Sequence, residues 1–220
     1  MFLISIIQVL LVFVLPVYLL YKKIIPFKYR LHVLFSIFLI VIFFIIIEGM
    51  TFYDLGIRFD NIDNHIFPYI AFTVLVSVAI IYLSKYVLKR EHYIHYWHEK
   101  RFHILVFIPL CFLQEFIFRG YLIPKLFDIF NSSIMVVFIN SLLFMYIHVI
   151  YSRKNLDLLL VFIEGFLLAM IYVFYTNLIF VAIAHSIHNF IAIFFKFFVE
   201  EKKWFFLKEK LYYKCFVTII

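Results

Sequence analysis

Seven apolar runs recur along this 220-residue chain, each close to the ~20 residues a helix needs to cross about 30 Å of hydrocarbon. They cover about residues 2–21, 30–50, 66–88, 102–123, 132–151, 156–175 and 177–198. The runs are continuous, without the period-two alternation of barrel strands, so helices are the expected spanning element. Water is excluded as the main solvent by a chain that is 67% hydrophobic, 23% aromatic and only 15% charged. No tandem repeat or Gly/Pro/Ser-rich linker interrupts the runs. The expected fold is therefore all-α, a polytopic transmembrane helical bundle of about seven spans.

The net charge of +7 does not indicate nucleic-acid binding, because the basic residues lie between the apolar runs and are not gathered in one domain. They fix an expected orientation instead. With the N-terminus outside, the inner segments hold seventeen of the twenty Lys and Arg residues, from Lys22 to Lys214. Arg58 and Lys125 are outer and Arg119 lies within a span, so the positive-inside rule predicts a multi-pass cell-membrane protein with a cytoplasmic C-terminus. The first run lacks a basic start and a small-residue cleavage site, and is read as a retained helix. Cys111 and Cys215 are too few for a disulfide framework, and Cys215 is too far from the end for prenylation.

Three regions are expected: 1–101, N-terminal transmembrane helices with an interfacial linker; 102–198, a helical core; and 199–220, an interfacial tail. The polar loop 51–65 carries Asp54, Arg58, Asp60 and Asp63 and shows nothing catalytic. Residues 85–101 mix cations with Tyr and Trp, as a segment at the membrane interface does. There His92, His95 and His98 recur every third residue, a spacing compatible with a metal and also with an ordinary interfacial helix.

The informative residues are the few that lipid should reject. The fourth run holds Gln114, Glu115 and Arg119; the fifth holds Asn140, Ser141 and His148; the seventh holds His185, Ser186, His188 and Asn189. Each ionisable group at the bilayer centre costs about 2.5–3.5 kcal/mol on insertion scales, so these side chains are expected to turn inward and meet. Glu115 and Arg119 are four apart, a spacing that pairs them on one helix face, and His185 and Asn189 share that spacing. Such residues can be polar glue between helices. A carboxylate, an arginine, several imidazoles and an amide on three helices also form equipment for activating water and holding an oxyanion.

At these residues the chain resembles the CPBP family, the CAAX protease and bacteriocin-processing intramembrane proteases also called Abi proteins. The family's Glu-Glu-x-x-x-Arg motif falls on Gln114, Glu115 and Arg119, followed by Gly120; Phe-x-x-x-His falls on Phe144 and His148; His-x-x-x-Asn falls on His185 and Asn189. The likeness covers about residues 102–195. It implies hydrolysis of a peptide bond at or within the membrane, in a membrane-associated or small peptide substrate such as a bacteriocin precursor. Carried over, Glu115 and His148 handle the proton, Arg119 positions Glu115, and His185 and Asn189 bind the tetrahedral oxygen. Family members have been described both as metalloproteases and as metal-free enzymes, and Glu115, His148 and His185 form a ligand set of the kind that holds Zn.

One departure stands out: the first glutamate of the motif is Gln114 here, and an amide cannot accept a proton from water at neutral pH. The alternative expectation is a non-catalytic family member acting as an immunity or scaffold protein. Glu164, in the sixth run, is either a substitute acid or a pairing partner, and His188 is expected to be structural. Glu48, at the outer end of the second run, needs no special role. A transporter is the weaker third reading, because the paired broken helices of internal repeats are not visible.

Overall fold

The computed structural model describes residues 2–89, 108–152, 154–195 and 197. Among these, all regular structure is helical. Helix α1 runs Phe2–Tyr21 and α2 runs Arg30–Glu48; α3 runs Ile62–Val87 and α4 spans 108–130. Ser133–His148 forms α5, Asn155–Phe174 forms α6 and Leu178–Phe194 forms α7. Four of these reach a full membrane-crossing length, α5 and α7 are shorter apolar helices, and α4 carries the charged motif. This is the polytopic helical membrane protein that the apolar runs predict. The His92, His95 and His98 trio, most of the linker and the 199–220 tail lie outside the described residues.

The chain divides into two compact units, Met1–Ile62 with Leu113–Ile179, and Asp63–Phe112 with Phe180–Ile220. In the first, α5 and α6 make the most extensive helix pair, with Phe138 edge-on to Phe162 at 5.8 Å. Helix α2 meets α4 through Phe38 and Phe116, 5.5 Å apart, and through Phe44 stacked on Tyr121. In the second unit, α3 lies on α7 through Tyr69 and Phe180 at 5.5 Å and through Phe72 and His188 at 5.5 Å. Large apolar side chains on α2, such as Phe35, Phe43 and Ile46, are left exposed, as a surface solvated by acyl chains allows.

Two π-helical turns shape the first unit. Leu10–Val14 precedes Pro16, and Phe116–Leu122 precedes Pro124; each proline enters the first turn of the following α segment. A proline there lacks an N–H where one is least needed, so the helix continues. The consequence corrects the expected end of the fourth run at 123, because α4 continues to Phe130 and ends on Asn131 in left-handed geometry.

That extension brings Lys125 out of the assumed loop. Lys125 is buried and pairs with Glu48, whose other carboxylate oxygen accepts the Gln8 amide at 2.6 Å. Asp128 lies 3.8 Å from Lys125 Nζ and accepts the Ser5 hydroxyl at 3.3 Å. Glu48 therefore does have a role, as the hub joining α1, α2 and α4 at one end. Lys125→Met is expected to destabilise the protein by about 1–3 kcal/mol through the carboxylates left without their cation. In thermal unfolding in detergent, the Lys125→Met, Glu48→Gln double variant should lose less than the two single losses combined.

Candidate active site

The motif carboxylate and arginine meet as their spacing predicts. Arg119 Nε lies 3.0 Å from Glu115 Oε2, and both side chains are fully buried. Glu115 is the last residue before the Phe116–Leu122 π turn, and Arg119 lies inside it. Widened turns of this kind recur at functional sites, because they redirect side chains without ending the helix. The turn's backbone is steadied by Asn140 on α5, whose amide donates to the Phe118 carbonyl at 2.7 Å. Asn140 thus bridges α4 and α5, as polar glue does, whereas Ser141 donates to Val137 O within its own helix at 2.6 Å.

Arg119 is held on three sides. Besides Glu115, its guanidinium donates to the Gly165 carbonyl at 3.2 Å and lies 4.6 Å from the centre of the Phe144 ring. Gly165 is what lets α5 and α6 close around it, because a Cβ there would sit 2.8 Å from the Phe144 ring. Phe144 also meets Phe118 edge-on at 5.3 Å, and Phe118 meets Phe13 of α1 at 5.1 Å. The phenylalanine of the second motif is therefore the wall of the arginine's pocket, a role its spacing from His148 did not reveal.

His148 is the last residue of α5 and is half-buried. Its Nδ1 lies 2.8 Å from the Phe144 carbonyl. A carbonyl can only accept, so Nδ1 carries the proton and Nε2 is the basic nitrogen. Phe144 and Tyr151 flank the ring at centroid distances of 5.0 and 6.2 Å. Gln114 is 1% exposed, and neither its amide oxygen nor its nitrogen has a hydrogen-bond partner among the described residues. Glu164, beside Gly165 on α6, is half-buried.

His185 and Asn189 belong to the second unit, one turn apart on α7. His185 is 3% exposed. The Asn189 amide donates to Cys111 Sγ at 3.3 Å, and Cys111 packs against Phe190 and Ile193. His188 is fully buried beside Phe72, and Ser186 donates back to Ala182 O at 2.7 Å. Among the described residues no group of three or more His, Cys, Asp or Glu side chains is gathered to hold a metal ion. Glu115, the carboxylate of the expected Zn set, faces the Arg119 cation.

The polar loop between α2 and α3, where the sequence shows nothing catalytic, packs against the motif helix. Leu55 O lies 3.1 Å from where a Cβ on Gly120 would stand, directly after Arg119. The loop is bound to the α6–α7 junction by Leu178 N donating to Gly56 O at 2.7 Å and Tyr172 Oη donating to Leu55 O at 3.2 Å. Asn177 donates to Arg58 O and to Asn61 Oδ1, and Asn61 donates to Thr176 O. The paired Asn61 and Asn177 were the available sequence signal.

Residues 97–191 match the family described as Rce1-like, type II CAAX prenyl endopeptidase. This segment holds all three motifs and is similar to the CAAX-type intramembrane proteases of the CPBP family. No curated protein and no solved structure matches it.

Two variants test the arginine pocket. Arg119→Leu should cost about 3–5 kcal/mol, the penalty for stranding a buried carboxylate, and adding Glu115→Leu should recover much of it. Gly165→Ala should cost about 1–3 kcal/mol by overpacking against Phe144. Thermal unfolding in detergent reads both, and wild-type stability in Arg119→Leu would contradict the pocket.

Proposed function

We propose that the protein is an intramembrane endopeptidase that hydrolyses a peptide bond in a membrane-associated or small peptide substrate, a bacteriocin-type precursor being one example. The observation that carries this is the fully buried Glu115–Arg119 pair, set at the family motif and walled by the second motif's Phe144. In this reading a water molecule attacks the scissile carbonyl while Glu115 and His148 Nε2 take its proton. The carbonyl oxygen becomes an oxyanion bound by His185 and the Asn189 amide. The proton then passes to the departing amine, leaving a carboxylic acid and an amine as products. Arg119 keeps Glu115 in one orientation, and residues 102–198 form the catalytic core. The same proposal places the N-terminus outside and the C-terminus in the cytoplasm.

A second reading is favoured by Gln114, a buried amide without a partner among the described residues. It suits a protein that holds a peptide by hydrogen bonds and does not cut it, as an immunity or scaffold protein does.

Cleavage of membrane-anchored peptides by the protein in vesicles separates the two. Glu115→Ala, His148→Ala or His185→Ala should each lower the rate by about 10²-fold or more. Unchanged rates would remove the assignment. If the wild type binds peptide without cutting and Gln114→Glu gains cleavage, the binding reading stands. Activity that survives complete chelation would exclude a required ion.

A further inference from the structure

We propose that the loop between α2 and α3, residues 51–61, is a latched seal that closes one end of the Glu115–Arg119 centre. Water and substrate then enter from elsewhere. The inference rests on reading that ion pair as part of the reaction centre, and it adds how the centre is closed.

A loop of this length without regular structure ordinarily lies on the surface and tolerates change. This one is braced internally and bolted externally. Thr51 N and Thr51 Oγ1 both donate to Asp54 Oδ2 at 2.7 Å, and Arg58 grips Asp60 through two bonds of 3.2 and 2.8 Å. The Arg58 guanidinium lies 4.0 Å from the centre of the Tyr53 ring. Hydrogen bonding to Thr51 holds Asp54 ionised below its ordinary pKa of 3.8. The brace is therefore complete above that pH and weakens as the pH falls through the lowered value.

The bolts are bonds to residues more than a hundred positions away, made by groups withdrawn from water. Leu55 is 2% exposed, Tyr172 2%, Asn61 6% and Asn177 1%. Gly56 has φ +74, and a Cβ on it would meet Tyr172 Oη at 2.2 Å, so only glycine fits under the tyrosine. At Gly120 a Cβ would stand 3.1 Å from the Leu55 carbonyl oxygen, a tight approach that rests the loop against the motif helix one residue past Arg119. Two glycines thus permit the approach that presses the loop onto the motif segment. A loop serving only as a tether between α2 and α3 needs none of these contacts.

The test uses the full-length protein in sealed, oriented vesicles, with a cysteine placed at Ile117, which is 1% exposed and lies one turn deeper than Gly120. A membrane-impermeant maleimide is applied from the side that bears the loop, and modification at residue 117 is read by peptide mass spectrometry. The latched protein should remain unlabelled from that side. Tyr172→Phe, which removes one bolt, and Asn61→Ala, which removes two, should each raise labelling at least tenfold. Rapid labelling of the latched protein from the loop side overturns the proposal, and so does unchanged labelling in both unlatched variants. Tyr172→Phe removes only a hydroxyl, so it remains informative if Asn61→Ala fails to fold. Because labelling needs no cleavage, an inactive wild type would sink the protease reading and leave the seal to be judged by its own result.

Discussion

Hydrocarbon offers no hydrogen bonds, so each polar group carried into it must be answered from within the protein. Nearly everything informative here follows from that requirement. Arg119 shows it most fully: its donors reach a carboxylate and a backbone carbonyl, and its face meets an aromatic ring. The same demand explains Asn140 reaching across to Phe118 O and the two serines bonding back along their own helices. Glycine at 165 is then a condition of the arginine's burial, because α6 must approach closely enough for its carbonyl to be used.

Two polar systems are strung along α4. One is the motif pair at Glu115 and Arg119; the other joins Lys125 and Asp128 to Glu48, Gln8 and Ser5. The first sits among aromatic rings and is fully closed. The second remains partly exposed on its acidic members, and it draws its members from three helices, α1, α2 and α4. The apolar N-terminal helix is thereby tied to the motif helix at two levels, through Phe13 and Phe118 in the interior and through Ser5 and Asp128 near its start. Such double attachment fixes both the tilt and the rotation of α4.

Periodicity and hydropathy made the helices legible, because each must present about 20 apolar residues to lipid whatever its neighbours do. The Glu115–Arg119 pair was legible too, since spacing on one helix decides it. The end of α4 was not, because Pro124 reads as a stop unless the preceding turn is known to be widened. Glu48 and Lys125 are 77 residues apart in sequence, and nothing local links them. The anchored loop was hidden for the same reason: what it offers is mostly its own backbone carbonyls, at Leu55, Gly56 and Arg58, which no residue type advertises. His185 and Asn189 were identified by motif, and Cys111 as the acceptor for Asn189 had no signal beyond its apolar surroundings.

The widened turn at Phe116–Leu122 also bears on how this sequence can drift. A π turn holds one residue more than the α-helical turn it replaces. Loss of a single codon within it would restore an ordinary helix and leave the hydropathy almost unchanged. Everything beyond would stay near its present orientation, whereas the same loss in the α-helical part of α4 ahead of the turn would rotate it by roughly 100° about the helix axis, carrying Lys125 away from Glu48 and Gly120 away from Leu55. Loss of one residue should accordingly be better tolerated within this short stretch than in the α-helical turns that precede it.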